Sequence, residues 1–145
     1  MTCHAEAAVD LPLDQQAAWD VVMDWNGQSA WMLFTRVWAT GNHGQGVGGG
    51  VAARTSVGPV GFTDDMVITH WDPPRECTVE HLGAVVRGTG TFAVRATPEG
   101  STFVWSEDVI PPLGPLGRTA WPLVRPAFEL MMRISLKRLA DGIAR

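Results

Sequence analysis

The sequence predicts an α+β domain in which a curved antiparallel sheet of about seven strands wraps around one long C-terminal helix. Three observations predict it. Six strand-like runs follow one another between Arg36 and Ile110, joined by links rich in Gly and Pro. No helical pattern separates them, so the links read as hairpins and a parallel βαβ sheet is excluded. One further strand and two short helical patterns precede these runs, and one long helical pattern follows them. The 145 residues are expected to form a single domain, residues 1–145.

Cys3 to Asp10 reads as the first strand. Leu11-Pro12-Leu13 breaks it, and Asp14 is placed to cap a helix. From Gln15 to Trp25, Ala18, Trp19, Val22 and Met23 recur at helical spacing. Asn26-Gly27 ends that helix, and a second short one covers Gln28 to Met32. The two together are expected to bend the chain back across one edge of the sheet. The strand runs are Arg36–Thr40, Val51–Val57, Phe62–Trp71, Glu76–Leu82, Val86–Thr97 and Thr102–Ile110. Pro111 to Gly117 reads as a loop, and Arg118 to Arg145 as helix. Arg125, Glu129, Arg133, Lys137 and Asp141 form one charged stripe at i,i+4 spacing, and Val124, Phe128, Met131, Ile134 and Leu139 lie mostly away from it. Pro122 and Pro126 predict a kink or a late helix start.

Composition narrows the function classes. Hydrophobic residues make up 46% and charged residues 18%, which fits a globular core and excludes disorder. Net charge is -4 and basic residues do not cluster, so no nucleic-acid footprint is expected. No apolar run is long enough for a membrane span, and the N-terminus lacks the basic start and apolar run of a signal peptide. Two isolated cysteines, Cys3 and Cys77, fit a reducing cytoplasmic setting, with a single disulfide left open. Seven Trp and no Tyr favour large apolar faces in a core or pocket. Trp25, Trp31 and Trp38 leave both a monomer and a homodimer open.

Several local patterns then fall in a fixed order. They are the glycine-dense Gly41-Asn42-His43-Gly44-Gln45-Gly46-Val47-Gly48, the strand Met66 to Trp71 ending in Asp72-Pro73-Pro74-Arg75, Gly88-Thr89-Gly90-Thr91-Phe92, Thr102 to Glu107, and Leu113 to Gly117 followed by Trp121-Pro122-Leu123-Val124. Over nearly the whole chain this series resembles the helix-grip, START-like superfamily, which includes birch-pollen-type allergens. Its last segments resemble the bacterial polyketide cyclase/dehydrase-like branch. The resemblance implies a cavity between sheet and C-terminal helix. It also implies a small hydrophobic ligand (lipid-, polyketide- or aromatic-like), with polyketide cyclisation or dehydration as the alternative. The glycine-dense loop is expected near the mouth. It fits G-x-G-x-x-G by letter, but a strand follows it where a dinucleotide site needs a helix.

Strand alternation nominates the site residues. Phe103, Trp105, Glu107 and Val109 share one face, so an inward face would set Glu107 in an apolar cavity beside Trp105. Burial there would raise its pKa and suit it to acid, base or hydrogen-bond work. His81 shares a face with Cys77 and Val79, and His70 shares one with Met66 and Ile68. The candidate acid/base residues are therefore Glu107 and His81. The candidate ligand contacts are Met66, Ile68, His70, Val79, His81, Phe92, Phe103, Trp105 and Glu107, with Trp121, Val124, Phe128 and Met131 from the last helix. Plain core packing is the competing account for each apolar residue. Asp64-Asp65 reads as a solvated pair, because adjacent strand residues face opposite ways. Cys77-x-x-x-His81 is too sparse for a metal, no nucleophile motif occurs, and no cofactor is expected. Two titratable groups within hydrogen-bond reach at one enclosed void would favour an enzyme, and their absence a binding module. A delivery module docking through the charged helix stripe is a third class, but that stripe reads more simply as a solvated face.

Overall fold

A computed structural model describes residues 2–144. The order is β1 (Cys3–Leu11), α1 (Gln15–Val22), a 3-10 turn (Asn26–Ala30), β2 (Thr35–Gly41), a 3-10 turn (Asn42–Gly44), β3 (Gly50–Val57), β4 (Val60–Asp72), β5 (Glu76–Leu82), β6 (Arg87–Thr97), β7 (Gly100–Val109) and α2 (Pro115–Ile143). The seven strands form one antiparallel sheet in the order β1-β7-β6-β5-β4-β3-β2. Every link from β2 to β7 joins neighbours, as short hairpin connections dictate. β1 and β2 lie at opposite edges. The segment between them therefore spans the sheet from edge to edge, where the sequence had predicted a return across one edge.

Asp14 caps α1 by accepting from the Ala17 N–H at 2.8 Å. Its helix stops at Val22, before Trp25, which frees Trp25 to turn into the interior. α2 starts at Pro115, earlier than the sequence predicted, and carries Pro122 and Pro126 inside it. Both prolines lie on its exposed side. The last residue of the predicted helix, Arg145, lies outside the described residues. The core joins Ala5 and Leu11 of β1, Trp19 and Val22 of α1, Val94 and Phe103 of the central strands, and Met132, Leu136 and Leu139 of α2. Trp25 and Trp31 belong to this core, so neither is free to form a subunit interface. Trp38 stays half-exposed with the Arg36 guanidinium 5.6 Å from its ring.

β4 carries an irregularity that matters for the site. Its pairing with β5 slips between Ile68 and His70, so one extra residue shifts the alternation. Met66 and Ile68 face inward, but beyond the bulge Trp71 takes the inward place, packing edge-on to Trp19 at 5.4 Å. His70 is turned out to solvent and pairs with Glu76 at 3.2 Å.

Candidate functional site

The concave face of the sheet and the middle of α2 enclose a cavity of about 190 Å³. Trp25, Gln28 and Met32 close it from the segment between α1 and β2, and Phe128 and Met131 close it from α2. Its walls are mostly apolar. Three buried polar side chains meet on the sheet side: Asp64 of β4, His81 of β5 and Glu107 of β7.

The strand pattern explains how they meet. β6 lies between β5 and β7, and its inward positions opposite this region are Gly88, paired with His81, and Gly90, paired with Glu107. Without side chains there, His81 and Glu107 reach each other across β6. A Cβ on Gly90 would overlap Glu107 Oε2. His81 Nε2 lies 2.7 Å from Glu107 Oε1, and Nδ1 lies 2.5 Å from Asp64 Oδ2. The Trp105 indole N–H donates to Glu107 Oε2 at 3.2 Å. Asp64 Oδ1 is buried and has no hydrogen-bond partner among the described residues. Burial disfavours the charged imidazole, but the hydrogen bonds and charges of Asp64 and Glu107 outweigh it and hold the His81 pKa at about 10. His81 therefore serves as a cationic bridge between two carboxyl groups. With both ring nitrogens directed at carboxyls, neither offers a lone pair to a metal.

A second apolar depression, of about 380 Å³, adjoins the cavity. It is lined by the β5–β6 loop, the segment after β7 and the first turns of α2, and it shares Val86 and Phe128 with the inner cavity.

Of the residues nominated from sequence, Met66, Val79, His81, Phe92, Trp105, Glu107, Phe128 and Met131 line the inner cavity. Trp121 and Val124 line the outer depression instead. Trp121 stands edge-on to Phe128 at 6.2 Å. Ile68 and Phe103 do not line either space: each is almost fully buried in the core, with Phe103 stacked beneath Phe92 at 6.2 Å. His70 is corrected outright, because the β4 bulge points it outward. The solvated-pair reading of Asp64-Asp65 is also corrected: Asp65 is exposed, but Asp64 is 6% exposed and bonded to His81. The glycine-dense loop contributes no lining residue. It backs the cavity wall, where the Gly44 carbonyl accepts from the Trp25 indole at 2.7 Å.

Among the lining residues that sequence reasoning passed over are Asp64, Trp25, Gln28 and Met32. Asp64 had a readable signal, since Phe62, Asp64, Met66 and Ile68 alternate along β4 before the bulge. The other three sit on irregular backbone, where no period applies.

Residues 2–143 match the family described as polyketide cyclase / dehydrase and lipid transport. No curated protein matches the chain in sequence. Among solved structures, TTHA0849 from Thermus thermophilus superposes with a TM-score of 0.81 at 13% identity, covering 98% of this chain and 97% of that one. A Rhodobacter sphaeroides protein superposes at 0.72 with 14% identity, covering 97% and 91%. The Aha1 dimer from Colwellia psychrerythraea gives 0.64 at 11% identity, covering 97% and 96%. At such identities these structures share the fold alone. Among the described residues no helix is long and apolar enough to cross a membrane.

Proposed function

The chain belongs to the polyketide cyclase/dehydrase and lipid-transport family, and on that premise we propose that it takes up one small, largely apolar molecule in the cavity between sheet and α2. The observation that carries this reading is the cavity itself, a largely apolar, partly open space of about 190 Å³ with Asp64, His81 and Glu107 gathered at one wall. An apolar cavity of ~150 Å³ takes up benzene in other proteins, so a compound of one or two rings, or a short chain, fits this one. Burying ~200 Å² of ligand at ~25 cal/mol/Å² yields ~5 kcal/mol before ordering costs. That corresponds to micromolar to millimolar affinity, so polar anchors decide how tight and selective binding becomes.

A second reading, acid/base catalysis on a polyketide-like substrate, is supported by the Asp64–His81–Glu107 trio, which supplies more than two titratable groups at one void. Its weakness is the bonding. A general base needs a free lone pair and a pKa near the working pH. His81 has neither, because both nitrogens are engaged and its pKa is held at about 10. Glu107 is also engaged through both oxygens. The trio is better built to hold a polar group than to exchange a proton.

Native mass spectrometry of the purified protein tests the binding reading. A co-purifying or added small apolar compound should bind at one equivalent per chain. Substituting Ala53, a small residue lining the cavity, with Phe should abolish the adduct while the fold persists by circular dichroism. An adduct unchanged in Ala53→Phe would place the ligand elsewhere.

A further inference from the structure

Asp64 Oδ1 is a buried acceptor with no donor among the described residues, on a residue 6% exposed that lines the cavity. A buried unpaired acceptor costs ~1–3 kcal/mol, so a ligand that donates to it gains that much by arriving. The donors within the trio and its Trp105 partner are already used. The two His81 nitrogens face Asp64 and Glu107, and the Trp105 indole N–H faces Glu107. The polar wall thus holds two carboxyl groups to one imidazole, and its free valence is an acceptor. A ligand carboxylate or phosphate brought there would find no donor and would meet like charge.

Beside the inner cavity lies the outer depression, almost without polar groups. Val86 and Phe128 belong to both chambers, and the outer one adds Leu113, Leu116, Trp121 and Val124. Leu113 and Leu116 are 77% and 66% exposed, an unusual cost for leucines unless something apolar covers them.

We propose that the ligand is an elongated amphiphile whose hydroxyl or amine head donates to Asp64 in the inner cavity and whose apolar tail passes Val86 and Phe128 into the outer chamber, with carboxylates and other anionic heads excluded. This rests on the cavity being the ligand site. The head is set by an unfilled acceptor, the tail by the adjoining apolar depression that shares Val86 and Phe128 with the cavity, and the exclusion of anions by the surplus of acids over bases.

The test compares phenylbutanol, phenylbutylamine and phenylbutanoate, equal in tail, by titration calorimetry at neutral pH with the intact chain. The alcohol and the amine should bind, and the carboxylate should bind at least ~10-fold more weakly, the loss expected for one unpaired buried polar contact. Asp64→Asn turns the free acceptor into an amide N–H, so that variant should shrink or reverse the discrimination. For the tail, phenylbutanol should bind more tightly than benzyl alcohol by up to ~4-fold per methylene. Leu116→Asp, on an exposed position, should remove that gain and leave benzyl alcohol unaffected. A carboxylate that binds as well as the alcohol overturns the assignment of the head. Equal weakening of both alcohols by Leu116→Asp overturns the assignment of the tail. If all three heads bind alike, the cavity reading stands and this inference falls. If none binds, both fall.

Discussion

The two halves of α2 differ in what they meet. From Met132 onward, Met132, Ser135, Leu136 and Leu139 are buried against the sheet. Ser135 Oγ accepts from the Leu33 N–H at 2.9 Å, and Arg138 donates to the Ala30 carbonyl at 3.2 Å. Before Phe128, Leu116, Leu123 and Val124 are 66%, 83% and 48% exposed. Among the described residues, every side-chain hydrogen bond from α2 to the rest of the protein begins at Glu129 or later. The inward residues of the sheet explain the contrast. Large side chains such as Phe103 and Val94 fill the closed end, while Gly88, Gly90 and Ala53 leave the other end unfilled. The helix thus locks the fold with one half and roofs a chamber with the other. Small residues on neighbouring strands create that chamber, and the buried trio fills the gap left on β6.

Removing the bridge at the open end should give the largest effect. His81→Leu leaves Asp64 and Glu107 facing each other without a cation, and should cost ~3–5 kcal/mol in urea unfolding. A loss below ~1 kcal/mol would mean that the trio is not a buried ionic unit.

The same bridge sets a pH dependence. The folded pKa of His81, at about 10, lies above its ordinary value of 6.5. Its contribution is therefore fully present below pH 6.5 and is lost as pH rises toward 10, by at most ~1.4 kcal/mol per unit. Cys77, which burial pushes up to about 12 from 9.0, adds a loss of the same sign only above pH 9. His4, whose pKa its hydrogen bond to Asp108 also raises, loses stabilisation with the same sign above pH 6.5. Thermal unfolding of a His4→Gln variant between pH 6.5 and 9 therefore reads His81, and a flat profile there would contradict the assignment.

At the closed end, Leu136→Ala should cost ~2–5 kcal/mol through the cavity it leaves. Leu123→Ala, on the exposed half, should stay within ~0.5 kcal/mol. Equal losses at the two positions would erase the distinction between the halves. A further, moderate effect concerns the gap on β6. Gly90→Ala should displace Glu107 at a cost of ~1–3 kcal/mol. By NMR, the His81 ring should then titrate at lower pH than in the parent, since it loses one of its two partners.

The fold was largely legible in the chain because hairpin links, the Asp14 cap and the charged stripe of α2 are local signals. The site was legible only in part. Alternation placed Trp105 and Glu107 inward, and the same rule set Met66 and Val79 beside them. It misdirected His70, because the bulge after Ile68 adds one residue that composition does not announce. It could have found Asp64, had the residue been read with Phe62 and Met66 and not with its neighbour Asp65. The partnership itself was beyond a local reading: His81 lies 17 residues from Asp64 and 26 from Glu107, on strands that only the sheet order brings together.

Adjacent methionines on α2 offer the most direct test that a chamber exists and where it lies. Met131 lines the cavity together with Met32 and Met66, while Met132 is fully buried in the core outside it. With the methionine ε-methyl groups labelled with carbon-13, benzene should be titrated into the protein and each methyl followed by NMR. The methyls of Met32, Met66 and Met131 should shift together with a single affinity, and Met132 should hold its position. Shifts that spare the first three, or that move Met132 equally, would contradict a ligand chamber under the middle of α2.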